Sequence, residues 1–169
     1  MAASNSASIR QQYDTDGFYI HPAAILTPAL LARAAKGLDA VRLGEYDTGT
    51  PPAGRLWNPG DDPNKLCKIE HPQLANHALR EVLRAPELGR LAAAITGASR
   101  VQVWWVQLLY KPATPPGALA ETTVGWHQDK QYWKEWSEDS ELFTAWLALS
   151  DVTSHSGPMS FVRQSHRWG

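Results

Sequence analysis

The chain of 169 residues contains one cysteine, Cys67, so it cannot form an internal disulfide. A lone cysteine favours a reducing compartment, and we expect a cytoplasmic protein. No apolar stretch reaches the roughly 18 residues that a membrane-spanning helix needs, so no membrane partner is expected. The formal net charge is only −1, without a long basic run, which argues against a nucleic-acid partner.

What the chain does contain is the composition of a globular protein, with 43% hydrophobic and 20% charged residues. This length is enough for one domain with a hydrophobic core. The first residues are small and polar, so we expect residues 1–12 to be a disordered tail and residues 13–169 to form a single domain. We expect most of the eight tryptophans to lie in the core or in a pocket wall.

Helix signals are concentrated in the first part of the chain and strand signals in the later part. Thr27 and Pro28 are typical of a helix start, and further helical regions are predicted from Pro72 and Pro86. Composition and length predict strands at residues 18–20, 101–110, 122–126, 142–149 and 159–162. Helices that precede strands favour an α+β fold over alternating βαβ units.

The motif Trp126-His127-Gln128-Asp129 carries the clearest chemical signal. Residues i and i+2 of an extended segment point to the same side, so His127 and Asp129 can reach one metal ion. Histidine and carboxylate make up two thirds of the facial triad that holds non-haem Fe(II) in oxygenases. An isolated His-x-Asp is more often a surface pair beside a turn, so the assignment depends on the surrounding sequence.

Other motifs surround this one in a characteristic order. Tyr-Asp-Thr-Asp-Gly-Phe-Tyr-Ile stands at 13–20, Leu-Tyr-Lys-Pro at 109–112 and Thr-Ala-Trp-Leu-Ala-Leu at 144–149. Asp-Val-Thr at 151–153, Gly-Pro at 157–158 and Ser-His-Arg-Trp-Gly at 165–169 follow. Taken in this order, the motifs resemble the phytanoyl-CoA dioxygenase family of Fe(II)- and 2-oxoglutarate-dependent oxygenases.

The resemblance implies a double-stranded β-helix, a cupin-like jelly-roll barrel with the N-terminal helices packed outside. It also implies that His127 and Asp129 are iron ligands, that 2-oxoglutarate and O2 are co-substrates, and that a C–H bond of a small molecule is hydroxylated. The family's third ligand, a histidine, and its 2-oxoglutarate-binding arginine would fall after Gly169. We therefore expect an incomplete barrel in what looks like a C-terminally truncated member.

Three further residues are candidates for the co-substrate pocket. The resemblance places Gln107 and Trp146 at positions that contact 2-oxoglutarate or line its pocket, and Lys68 near a lysine that reaches its carboxylate. A structural hydrogen bond for Gln107, core packing for Trp146 and a solvated surface position for Lys68 are the simpler alternatives.

The substrate would lie near the metal motif. Trp126, Gln128 and Trp133 are the candidate substrate-binding residues, and tryptophan walls would favour an apolar or cationic molecule. The same tryptophans could instead pack the rim of the barrel. His155 and His166 are the later histidines, and each is a weaker candidate for a third ligand.

Two other functions remain open at this point. The first is a non-catalytic jelly-roll module that binds a ligand among its tryptophans, or an inactive fragment, with His127 and Asp129 in a structural role. The second is a cupin-type metal enzyme that uses no 2-oxo acid. Such an enzyme typically has more histidines at ligand spacing than this chain does.

Overall fold

The computed structural model describes residues 2–114, 122–133, 136, 140 and 142–168. Within them lie four α-helices, namely α1 (Ala2–Asp16), α2 (Pro28–Arg42), α3 (His77–Leu83) and α4 (Pro86–Thr96). The strands are β1 (Gly54–Arg55), β2 (Cys67–Glu70) and β3 (Gln107–Tyr110), and short 3-10 helices span Pro72–Leu74, Asp129–Tyr132 and Ser165–Arg167. Helices with one small antiparallel sheet agree with the predicted α+β class, and no barrel is seen within these residues.

Local capping explains where α2 and α3 begin. The Thr27 hydroxyl accepts a hydrogen bond from the Leu30 N–H at 3.2 Å, and Pro28 occupies the first turn of α2, as predicted. The helical region predicted from Pro72 divides in two, because Asn76 caps a new helix by accepting from the Leu79 N–H at 3.1 Å. No helix in the part of the chain described is long and apolar enough to cross a bilayer.

Helix α1 occupies the segment for which we expected a disordered tail. Ile9 is buried, and the Arg10 guanidinium donates a hydrogen bond to the Thr96 carbonyl at the end of α4, at 2.6 Å. Most helical stability in proteins comes from tertiary packing, and this packing against α4 is a contact that local sequence does not reveal. The following residues 18–20 form no strand, and Phe18 stacks on Phe161 instead.

The sheet has the order β1-β2-β3, with both pairs antiparallel. Alternation along β2 buries Cys67 and Ile69 and leaves Lys68 and Glu70 on the other, half-buried face. Neither β1 nor β2 was predicted, since both lie among loop-forming residues. Strand β3 covers only the last four residues of the strand predicted at 101–110.

The hydrophobic core lies between the helices and one face of the sheet. All of its fully packed members fall between residues 26 and 108: Leu26, Leu30, Ala34, Val41, Trp57, Cys67, Ile69, Ala75, Leu79, Val82, Ala85 and Leu108. From the later part of the chain, Leu147 and Leu149 pack against this core while remaining partly exposed.

The strands predicted at 122–126, 142–149 and 159–162 are not formed in the structure, and segment 142–149 is not buried. These three predictions were wrong for the described residues. Apolar and aromatic composition indicates that a segment can form a strand, but a strand exists only when a neighbouring strand satisfies its backbone N–H and C=O groups. That partner cannot be identified from the composition of the segment.

Candidate metal centre

His127 and Asp129 are brought together by the backbone of their own segment. Gln128, between them, has extended dihedral angles (φ −111°, ψ 129°), and the 3-10 helix begins at Asp129. The two side chains therefore point the same way, as the i, i+2 spacing predicted. His127 Nε2 lies 3.3 Å from Asp129 Oδ1, and about a third of each side chain is exposed.

The outer atoms of both side chains are held by neighbouring groups. His127 Nδ1 lies 2.7 Å from the Gly125 carbonyl oxygen. Because a carbonyl oxygen only accepts, Nδ1 is the donor in this contact, which leaves Nε2, the atom facing Asp129 Oδ1, as the ring nitrogen that could bind a metal. Asp129 Oδ2 accepts a short hydrogen bond from the Thr144 hydroxyl. Such outer partners orient metal ligands, and here they direct Nε2 and Oδ1 toward the same point.

The donor set fits one divalent iron. Two donor atoms that each lie ~2.1 Å from one ion at cis positions are about 3 Å apart, close to the separation of Nε2 and Oδ1. No group of three or more His, Cys, Asp or Glu side chains suited to a metal occurs among the described residues. His155 lies in an exposed turn, and the His166 ring packs against Gly17, so neither completes a triad with the pair.

The candidate co-substrate residues Lys68 and Gln107 lie on one face of the sheet. Lys68 is paired with Leu109 across β2 and β3, and Glu70 is paired with Gln107. The Glu70 carboxylate joins the two candidates, with Oε1 lying 3.4 Å from Lys68 Nζ and 3.3 Å from Gln107 Nε2. Sequence reasoning missed Glu70, although the alternation of Cys67, Lys68, Ile69 and Glu70 is a strand signal that could have revealed it.

An aromatic cluster of Trp104, Trp105, Trp133 and Trp136 extends from the sheet toward the metal pair. Trp105 Nε1 donates to Glu70 Oε2 at 2.6 Å. Edge-to-face contacts join Trp104 to Trp133 and to Trp136, at centroid distances of 6.3 Å and 5.2 Å. Tyr132, next to Trp133, packs edge-on against the His127 ring. The candidate substrate residue Trp133 thus belongs to an aromatic surface that connects both groups of polar side chains.

The remaining candidates lie at different places around this cluster. Trp126 is 75% exposed beside the metal pair, and Trp146 is 45% exposed on the segment whose Leu147 and Leu149 contact the core. The side-chain amide of Gln128 donates to the Ser165 carbonyl at 2.7 Å, which ties the metal segment to the last 3-10 helix. Thr144, which sequence reasoning also missed, stands 15 residues after Asp129, so no local pattern could link them.

Comparison with known proteins gives one match. The family model described as phytanoyl-CoA dioxygenase matches residues 13–169, nearly the whole chain. Neither the curated proteins nor the solved structures gave a match.

Proposed function

Because the chain belongs to the phytanoyl-CoA dioxygenase family, we propose that it forms part of an Fe(II)- and 2-oxoglutarate-dependent enzyme that hydroxylates a C–H bond of a small molecule. The family is one of dioxygenases, which supports oxygenase chemistry in general. The observation that carries the proposal is the convergence of His127 Nε2 and Asp129 Oδ1 at 3.3 Å, with the other polar atom of each side chain already engaged.

In this proposal His127 and Asp129 hold the iron. When bound with 2-oxoglutarate and O2, the iron supplies the oxidising power for C–H hydroxylation. The protein contributes the orientation of both ligands. The Gly125 carbonyl engages Nδ1 and the Thr144 hydroxyl engages Asp129 Oδ2, so Nε2 and Oδ1 are the atoms that would bind the iron.

The co-substrate pocket in this proposal is formed by Lys68, Gln107 and Trp146. The ammonium of Lys68 suits a carboxylate of 2-oxoglutarate, and the amide of Gln107 supplies a hydrogen-bond donor on the same face of the sheet. We also propose that the complete enzyme has the jelly-roll barrel of the family. A reducing compartment is part of the same proposal, and the buried free thiol of Cys67 is compatible with it.

Substrate contact is assigned to Trp126, Trp133 and Gln128. The aromatic cluster next to the metal pair presents flat apolar surface, which suits a substrate with apolar or cationic groups. Gln128 contributes by fixing the backbone between the two ligands through its bond to Ser165.

The proposal is tested by measuring metal affinity and co-substrate turnover together. We expect His127→Ala to weaken Mn(II) binding, measured by calorimetry, by at least about 100-fold, because one of the ligands is removed. His155→Ala is the matched control, since this histidine lies in an exposed turn away from the pair. Unchanged metal affinity in His127→Ala would contradict the proposed ligand role.

A non-catalytic ligand-binding module is the second candidate. The exposed tryptophans favour it, since aromatic side chains such as Trp104, Trp105 and Trp126 can hold a ligand without any metal chemistry. The two functions differ in 2-oxoglutarate consumption. An oxygenase decarboxylates 2-oxoglutarate slowly even without substrate, so complete absence of CO2 release from the iron-loaded protein would favour the binding module.

A further inference from the structure

We propose that Glu70 is the positioning residue of the co-substrate pocket, acting by holding the Lys68 ammonium and the Gln107 amide in place. This inference rests on the proposed function, because it assumes that Lys68 and Gln107 contact 2-oxoglutarate. Glu70 itself is not expected to touch the co-substrate, since two carboxylates repel each other.

Glu70 is surrounded by three N–H donors, Lys68 on its own strand and Trp105 and Gln107 at the neighbouring strand β3. Oε1 lies 3.4 Å from Lys68 Nζ and 3.3 Å from Gln107 Nε2, while Oε2 accepts from Trp105 Nε1 at 2.6 Å. The Glu70 side chain is 19% exposed, while the donors Trp105 and Gln107 are more open to solvent. An ionised carboxylate offers about four acceptor positions, and three of them are directed at the neighbours named here.

The sheet register dictates this arrangement. Glu70 lies directly opposite Gln107 on β3 and opposite Gly54 on β1. Lys68 precedes Glu70 by two residues on the same strand and therefore shares its face. On the other side, Gly54 presents no side chain, and a Cβ there would meet only the Glu70 Cγ and Cβ, at 3.6 Å and 3.7 Å.

The physical effect of Glu70 is pre-organisation. A lysine side chain has four rotatable bonds and loses considerable rotamer freedom when it binds an anion. Glu70 restricts the Lys68 ammonium and orients the Gln107 amide before 2-oxoglutarate arrives, which lowers the entropy lost on binding. Trp105 fixes the carboxylate in turn and links the pocket to the aromatic cluster.

The test measures 2-oxoglutarate affinity and turnover in Glu70 and Lys68 variants. We expect Glu70→Ala to raise the KM for 2-oxoglutarate by about tenfold and leave kcat within about twofold, since pre-organisation acts on binding. The Kd of 2-oxoglutarate for the Mn(II)-loaded protein, measured by calorimetry without turnover, should rise by the same factor. Mere loss of folded protein would lower kcat and leave Kd unchanged.

A double-mutant cycle shows whether Glu70 acts through Lys68. If it does, adding Glu70→Ala to Lys68→Ala should weaken binding by much less than the tenfold seen in the parent protein. Glu70→Gln keeps the shape of the side chain and one acceptor, so it should fold normally and show an intermediate Kd. Glu87→Ala is the matched control, because Glu87 pairs with Arg90 on the surface of α4.

The outcomes separate this inference from the proposed function. If the wild-type protein binds 2-oxoglutarate and Glu70→Ala binds it equally or more tightly, the inference alone is overturned. The same holds if the fold-changes in Kd of the two single variants simply multiply in the double variant. A wild-type protein that neither binds nor consumes 2-oxoglutarate would overturn both.

Discussion

Two regions of this protein differ in how far they bury their apolar residues. Residues 2–114 expose some large apolar side chains, Trp104 and Trp105 among them, but they also form a core between helices and a three-stranded sheet, and every buried hydrophobic side chain of the described residues lies there. In residues 122–168, as far as described, large apolar side chains stand at the surface: Val124, Trp126, Tyr132, Trp136, Trp146, Val152, Met159, Phe161, Val162 and Trp168. The candidate metal ligands lie in this second region, whereas the candidate co-substrate residues Lys68 and Gln107 lie on the sheet of the first.

The contrast teaches that apolar composition alone does not create a core. Both regions are rich in apolar residues, but among the described residues the extensive pairing of elements lies in the first, α2 with α3 and β2 with both other strands. The second region contacts that core through Leu147 and Leu149. Contiguous exposed apolar surface is typical of places where proteins contact other molecules, and the proposed substrate residues Trp126 and Trp133 lie in this region.

Truncating one apolar side chain in each region tests the contrast most strongly. We expect Ile69→Ala, at a fully buried position, to lower the free energy of unfolding by about 2–5 kcal/mol through lost transfer energy and a cavity. The matched change Val124→Ala, at a half-exposed position, should alter it by no more than ~0.5 kcal/mol. Urea denaturation followed by circular dichroism measures both, and equal losses would remove the distinction between the regions.

Thr144 is expected to support metal binding in the second region. Removing its hydroxyl in Thr144→Ala should weaken Mn(II) binding by about 10–100-fold, because Asp129 Oδ2 loses the bond that orients the carboxylate. Thr123→Ala, at an exposed position before the metal pair, is the control and should bind normally. Calorimetry provides the comparison, and equal affinity of the two variants would show that Thr144 plays no part in the site.

Two helical glycines, Gly37 in α2 and Gly89 in α4, test how closely the helices of the first region pack against their neighbours. A Cβ on Gly37 would overlap the Asn76 side chain, so Gly37→Ala should cost about 1–3 kcal/mol of unfolding free energy. A Cβ on Gly89 in α4 meets nothing within 4 Å, so Gly89→Ala should stabilise by about 0.5–1 kcal/mol. Thermal melts would reveal opposite shifts in Tm. An unchanged or higher Tm for Gly37→Ala would mean that α2 does not approach Asn76 this closely, and a lower Tm for Gly89→Ala would contradict the open space beside α4.

The smallest expected effect is a pH dependence from Cys67. Burial raises the pKa of this thiol above its ordinary value of 9.0, and Arg55 and Arg42 oppose the shift only partly. The folded state therefore keeps its proton where the unfolded state has lost it, so stability is fully present below pH 9.0 and falls as pH rises through the folded pKa. We expect Cys67→Ala to lose less stability than the wild type between pH 8 and 10.5, about the range over which a thiol titrates. Parallel losses in urea titrations would contradict the burial of the thiol.

Helix prediction succeeded where the signal lies within a few residues. The start of α2 follows from Thr27 and Pro28, and α4 ends where Gly97 adopts a left-handed conformation. The convergence of His127 and Asp129 follows from their spacing of two. Predictions failed for α1 and for most strands, because those elements depend on contacts with distant residues such as Thr96.

By itself, then, the sequence determined the class of the fold, the starts of α2 and α4 and the pairing of an imidazole with a carboxylate. Each depends on hydrogen bonds and side-chain directions within a single turn or strand, which neighbouring residues specify. Only the tertiary structure decided that Glu70 joins Lys68 to Gln107, that Thr144 holds Asp129 and that α1 is ordered against α4. The physical reason is that strand pairing and helix docking join residues far apart in the chain, and their energy belongs to the pair of segments and to neither segment alone.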